Sequence, residues 1–128
     1  MPVLLKKGAN MNDHYQTEQE IDAVVAGFEQ CTTGKSDFTH LSHLTVAVYY
    51  LRHSSPDQAL QKMRGGLFRF LDHNGVGRAK YDEQLTRSWI SLIQDVIEQL
   101  DPKLSLVATT NIVLERLGDS RIAKEEKK

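Results

Sequence analysis

The sequence predicts an all-α fold, an up-and-down bundle of four to five helices. Three observations carry that prediction. Apolar residues recur at spacings of three and four along most of the chain, as helices with one buried face require. Ser or Thr stands just ahead of several of these stretches, twice with Glu or Gln three residues later, a pattern that satisfies the unpaired amides of a helix start. Alternation of apolar and polar residues between turns is hard to find, so no strand competes. Short connections then give antiparallel neighbours.

Residues 1–15 stand apart. Met1-Pro2-Val3-Leu4-Leu5-Lys6-Lys7-Gly8 has no helical period, and Met11-Asn12-Asp13 would itself serve as a start site. This segment reads as a flexible N-terminal arm. The bundle domain is expected over 16–118. Thr17-Glu18-Gln19-Glu20 fits a capping box, and Ile21, Val24, Val25 and Phe28 share one face, giving a first helix over roughly 18–31. Turn formers fill Thr32 to Asp37, after which Thr39 caps a second helix running to about His53. That helix is apolar on more than half its circumference and is expected at the centre of the bundle.

Ser55-Pro56-Asp57-Gln58 opens a third helix, with Ser at the cap and Pro in the first turn. Ala59, Leu60, Met63, Leu67, Phe68 and Leu71 make its buried face. Gly65-Gly66 interrupts it, and since each mid-helix Gly costs about 1 kcal/mol relative to Ala, close approach of another helix is the expected reason. Asp72-His73-Asn74-Gly75-Val76-Gly77 is a turn. It superficially resembles a calcium loop, but Arg78, Ala79 and Lys80 stand where oxygen ligands are needed. From Tyr81 to Leu100 the period is clearest: Leu85, Trp89, Leu92, Ile93, Val96 and Leu100 lie in one stripe. Asp101-Pro102 stops this fourth helix. Leu106, Thr110, Val113, Leu114 and Leu117 outline a fifth, ended by Gly118, and residues 119–128 form a charged C-terminal tail.

Composition narrows the function classes. The 16 basic and 17 acidic side chains nearly cancel, and no Lys/Arg stripe with interleaved aromatics appears, which argues against nucleic acid. The apolar runs fall far short of a membrane span, and Met1 to Asn10 lacks a signal core. Cys31 is the only cysteine, so neither a disulfide within the chain nor a thiolate cluster forms, and a reducing cytoplasm is the expected home. Nothing follows a strand as a phosphate-binding glycine loop would.

The chemistry-bearing residues gather in two places. His40 and His43 sit three apart at the head of the second helix, with His40 in the middle of its apolar arc. Extrapolating the wheel of the fourth helix backwards puts Asp82 inside its apolar stripe, Tyr81 at the edge and Glu83 on the flank. A buried imidazole needs a partner, and three readings stay open. In the first, His40 and His43 with Asp82 or Glu83 bind a divalent metal such as zinc or iron, with an open position at which an activated water could hydrolyse a substrate. In the second, Glu83 or Asp82 accepts from His40 while Tyr81, Thr86 or Trp89 closes a structural network that docks helices two and four. Either way a polar pocket is expected between those helices. In the third, the protein is a non-catalytic interaction module, whose amphipathic first and fifth helices offer a face to a second copy. The sequence does not decide whether the protein is an enzyme.

Other candidates carry less. Tyr49 and Tyr50 point about 100° apart, so one packs while the other faces a surface. Phe68, Phe70 and Trp89 are core by spacing. His14, His53 and His73 are expected at the surface, and Cys31 is a small residue at a helix end.

Phe38-Thr39-His40-Leu41-Ser42-His43-Leu44, with Ala47, Tyr50-Leu51 and later Tyr81-Asp82-Glu83, resembles a family of short, uncharacterised bacterial all-helical proteins. The family pattern is an aromatic residue, His-x-x-His-Leu, Ala and Tyr-Leu, then Tyr-His-Glu-Thr opening a later helix, matched over roughly residues 20–100. Two departures matter. The second-motif histidine is Asp82 here, and the Thr is Gln84, with Thr86 two further on. Family members tend to carry a further C-terminal segment; if that segment closes a pocket, this chain is a shortened form. The resemblance implies a helical fold and brings no activity with it.

Overall fold

The computed structural model describes residues 14–118. Five α-helices account for the architecture: α1 Glu18–Glu29, α2 His40–His53, α3 Pro56–His73, α4 Glu83–Glu98 and α5 Leu106–Leu117, with one 3₁₀ turn at Arg78–Lys80 between α3 and α4. No strand occurs among the described residues. The helices pack on one another around a single core, so the all-α bundle stands. The expected tail and all but the end of the expected arm lie outside the described residues.

Each start is fixed by the residue the sequence offers for it. Thr17, Thr39 and Ser55 make capping boxes, with Glu20, Ser42 and Gln58 reaching back to the cap amides. Asp82 and Ser105 cap α4 and α5 through the amides of Leu85 and Ala108. The first helix closes at Glu29, because Gln30 caps it and Cys31 turns left-handed at φ 58°.

Helix α2 lies at the centre and touches the other four. Leu44, Thr45, Val46, Ala47, Val48, Tyr50 and Leu51 are all buried, which is why its apolar arc is so wide. Its partner α5 runs antiparallel and is clamped at both ends. Near the start of α2, His40 Nε2 donates to the Leu117 carbonyl at 3.0 Å, occupying one of the last carbonyls of α5, which have no partner inside their own helix. Near its end, Arg52 donates to Thr109 Oγ1 at 2.7 Å and to the Leu104 carbonyl at 3.2 Å. Asn111 on α5 then holds the incoming chain. Its side-chain oxygen accepts from the amides of His14 and Tyr15, and its amide nitrogen donates to the Tyr15 carbonyl. Residues 14 and 15, expected in the loose arm, are therefore docked by a buried amide.

A phenylalanine cluster closes one end. Phe28, Phe38 and Phe70 have ring centroids 4.8 to 6.0 Å apart, a range in which aromatic pairs attract. Close helix approach explains Gly66 but not Gly65: a Cβ at Gly66 would lie 2.6 Å from Phe28 Cζ, whereas at Gly65 the nearest side-chain atom is 3.9 Å away. Phe68 is only half-buried, with Arg78 above its ring, while the inner aromatic of α3 is Phe70. Tyr50 is buried and Tyr49 half-buried, as their angular offset requires.

Candidate functional site

The site is a cavity between α2, α3 and α4. Each helix contributes through ordinary spacing: His40, His43, Leu44 and Ala47 from α2, Met63 and Leu67 from α3, and Leu85, Thr86, Trp89, Ile90 and Ile93 from α4. Its volume is about 210 Å³. An engineered apolar cavity of ~150 Å³ holds benzene, so a molecule of at least that size fits. Seven of the lining side chains are aliphatic, and the polar atoms are confined to two imidazoles, one hydroxyl and one indole.

Both histidines line this cavity, which is mostly apolar and has α3 as a third wall, where the sequence predicts a polar pocket between α2 and α4. His40, half-buried, sets its ring edge-on to Trp89 at 5.0 Å between centroids. Since a carbonyl only accepts, the hydrogen bond to Leu117 places the ring hydrogen on Nε2. His43 packs against Phe38 at 4.6 Å. Burial, reinforced by the nearby His40 and only partly countered by the Thr39 carbonyl, holds its pKa down at about 4. At neutral pH the ring is uncharged, in keeping with its apolar walls. Thr86 spends its hydrogen on the Asp82 carbonyl at 2.9 Å.

The carboxylates lie elsewhere. Asp82, expected to point into the apolar stripe, is exposed, and its side chain accepts from the Leu85 amide at 2.9 Å. The reason is local: with φ −120° and ψ 102° it is extended backbone ahead of the helix, so the helical wheel does not extend to it. Glu83 faces cations rather than imidazoles. Arg64 grips it with two bonds at 3.0 and 2.7 Å, Arg87 adds one at 2.7 Å and Tyr81 donates its hydroxyl at 2.7 Å. The Arg64 and Tyr81 bonds hold its pKa down at about 2.

Of the four residues considered as metal ligands, His40, His43, Asp82 and Glu83, only His43 has its ring nitrogens uncommitted to any other side chain or helix among the described residues, and it lies against Phe38 in the cavity wall. His40 Nε2 is occupied by α5, Asp82 by the start of α4 and Glu83 by two arginines. Among the described residues no group of three or more His, Cys, Asp or Glu could hold a metal ion. The structural network takes a different form from the expected one as well. His40 bonds to a backbone carbonyl, and α3 rather than α2 partners Glu83.

Arg64, Met63 and Leu67 on α3 form half the setting, yet the sequence points to α2 and α4 alone. Met63 and Leu67 were legible as a buried face. Arg64 gave no signal, because one arginine on a helix flank matches any acid within reach.

Comparison with family models, curated proteins and solved structures gives no match to this chain. No helix among the described residues is long and apolar enough to cross a membrane.

Proposed function

We propose that the protein binds a small, mostly apolar molecule in the cavity between α2, α3 and α4, with the ligand's polar group at the His43 and Thr86 end. The observation that carries this reading is the cavity itself: about 210 Å³, with mostly aliphatic walls and a few polar side chains among them. Small-molecule sites have this character, since apolar walls supply affinity and a few convergent polar groups fix orientation. The Glu83 cluster ties α4 to α3 and the His40 bond ties α2 to α5, which fixes the helices that carry the walls. The resemblance to the bacterial family adds no activity to this reading, and no catalytic step is assigned.

Octan-1-ol is a suitable probe. Burying most of its chain gains several kcal/mol, about 0.8 per methylene, from which association costs are subtracted, so a Kd of about 0.1–1 mM is expected. In ¹H–¹⁵N spectra, shifts should concentrate on residues lining the cavity. Leu67→Trp, which fills the cavity from its wall, should abolish them. Shifts spread over the surface, or unaffected by the filled cavity, would refute the proposal.

One observation favours an interaction module as a second reading. The apolar faces of α1 and α5, expected to meet a second copy, are buried in the core, but on α4 only Ile90 and Ile93 are buried, and beside the cavity-lining Leu85 and Trp89 the stripe continues through half-buried Leu92 and Val96. A second copy covering that stripe would make a homodimer. Light scattering after gel filtration decides: a strict monomer at high concentration removes it.

A further inference from the structure

A second cavity of about 320 Å³ adjoins the first, and the two share His43, Leu67, Leu85 and Thr86 as common wall. The outer one differs in character. Beyond the shared residues it is bounded by Phe38, Phe70, Leu71 and Tyr81, whose hydroxyl is spent on Glu83, and by the exposed Lys35, Lys80 and Asp82. The three charges are not equivalent. Asp82 has its carboxylate on the Leu85 amide, whereas Lys35 and Lys80 are exposed and make no ion pair among the described residues. They come from separate elements, the α1–α2 loop and the 3₁₀ turn, and both border the same groove. An apolar compartment thus shares the His43 imidazole and the Thr86 hydroxyl with a groove bordered by two lysines that make no ion pair among the described residues.

We propose that the ligand is an amphipathic monocarboxylate, whose apolar body fills the inner cavity and whose carboxylate reaches Lys35 and Lys80 in the outer groove. This rests on the small-ligand reading above and specifies its chemical class. The inner cavity selects for hydrocarbon, since its walls leave an internal charge without partners. The rim selects for an anion, since two lysines without ion-pair partners among the described residues border the groove and an anion lying in it is attracted to both. Chain length is set by the two compartments together: a body too short to pass His43 leaves its carboxylate short of the rim.

The test compares octanoate with octan-1-ol, which share the hydrocarbon and differ in the headgroup. By titration calorimetry at low salt, octanoate should bind about five- to tenfold more tightly, within what two exposed ion pairs supply. In the Lys35→Ala/Lys80→Ala double variant, octanoate should fall to the affinity of octan-1-ol, whose own binding should not change. Lys103→Glu, which lowers the net charge by the same two units on the loop before α5, should leave both ligands unaffected and so controls for net charge. Equal affinity of the two ligands, or a double variant that still prefers octanoate, overturns the carboxylate proposal while leaving the cavity as a small-ligand site. Failure of both probes to bind overturns the small-ligand reading and this inference with it.

Discussion

Replacing His43 with leucine should remove about 2 kcal/mol of pH dependence from folding stability. The folded ring sits between the cavity and Phe38, and its pKa is held at about 4 against an ordinary 6.5. The unfolded chain therefore takes up a proton at this position before the folded chain does. Above pH 6.5 neither state is protonated and the contribution of the neutral ring is complete; as pH falls from 6.5 towards 4, stability drains away; below about 4 both states are charged and the loss levels off. Integrating the linkage from about pH 7.5 to about pH 5 gives a loss on the order of 2 kcal/mol, or about 6–10 °C in Tm for a domain of this size. The assay is urea unfolding of wild type and His43→Leu at both pH values. Comparing the two proteins across the same pH change cancels every other titrating group and any constant packing difference between imidazole and leucine. The wild type should lose about 2 kcal/mol more than the variant. Parallel losses would refute the enclosed, neutral His43, as would a ring titration by NMR with its midpoint near 6.5.

Three further outcomes follow from the same structure. Gly66→Ala should destabilise by about 1–3 kcal/mol, since its Cβ meets the Phe28 ring, while the adjacent Gly65→Ala, in open space, should stabilise by about 0.5–1 kcal/mol; equal effects in urea unfolding would contradict the proposed approach of α1 and α3. His40→Ala should cost about 1–2 kcal/mol by leaving the Leu117 carbonyl without its donor, and should change the fluorescence of Trp89, against which the ring lies edge-on; an unchanged spectrum would remove that contact. Glu83→Gln should lower the unfolding midpoint at pH 7. Because the folded pKa of Glu83 is depressed to about 2, its stabilisation is present above 4.5 and lost as pH falls through 2, so variant and wild type should converge in strong acid. A gap that persists there would mean that the arginine clamp is not the source.

Much of the fold was legible because it rests on local rules. Thr17, Thr39 and Ser55 cap the helices they precede, and the breadth of the apolar arc on α2 identified the central helix. The placement of His40 and His43 on a pocket wall also followed from spacing alone. What failed was extrapolation. Asp82 fits the α4 wheel by number, yet a capping residue is extended and directs its side chain at the helix's own amides. Glu83 was assigned to an imidazole because the two histidines were the conspicuous partners, whereas the bidentate geometry of Arg64 one helix away makes the stronger pair. Asn111 and Arg52 could not have been read at all. Their partners, backbone groups apart from the Thr109 hydroxyl, are 52 to 97 residues distant, and nothing in sequence marks which carbonyls and amides will lack partners at helix ends.

The most direct measurement is a ¹H–¹⁵N titration of the protein with octan-1-ol, read residue by residue against the Leu67→Trp variant. Saturable shifts confined to the residues around His43, Thr86, Trp89 and Ile93, and absent once the tryptophan fills the space, are the predicted result. Shifts that neither saturate nor localise, or that survive in the variant, would show that the space between α2, α3 and α4 holds no ligand.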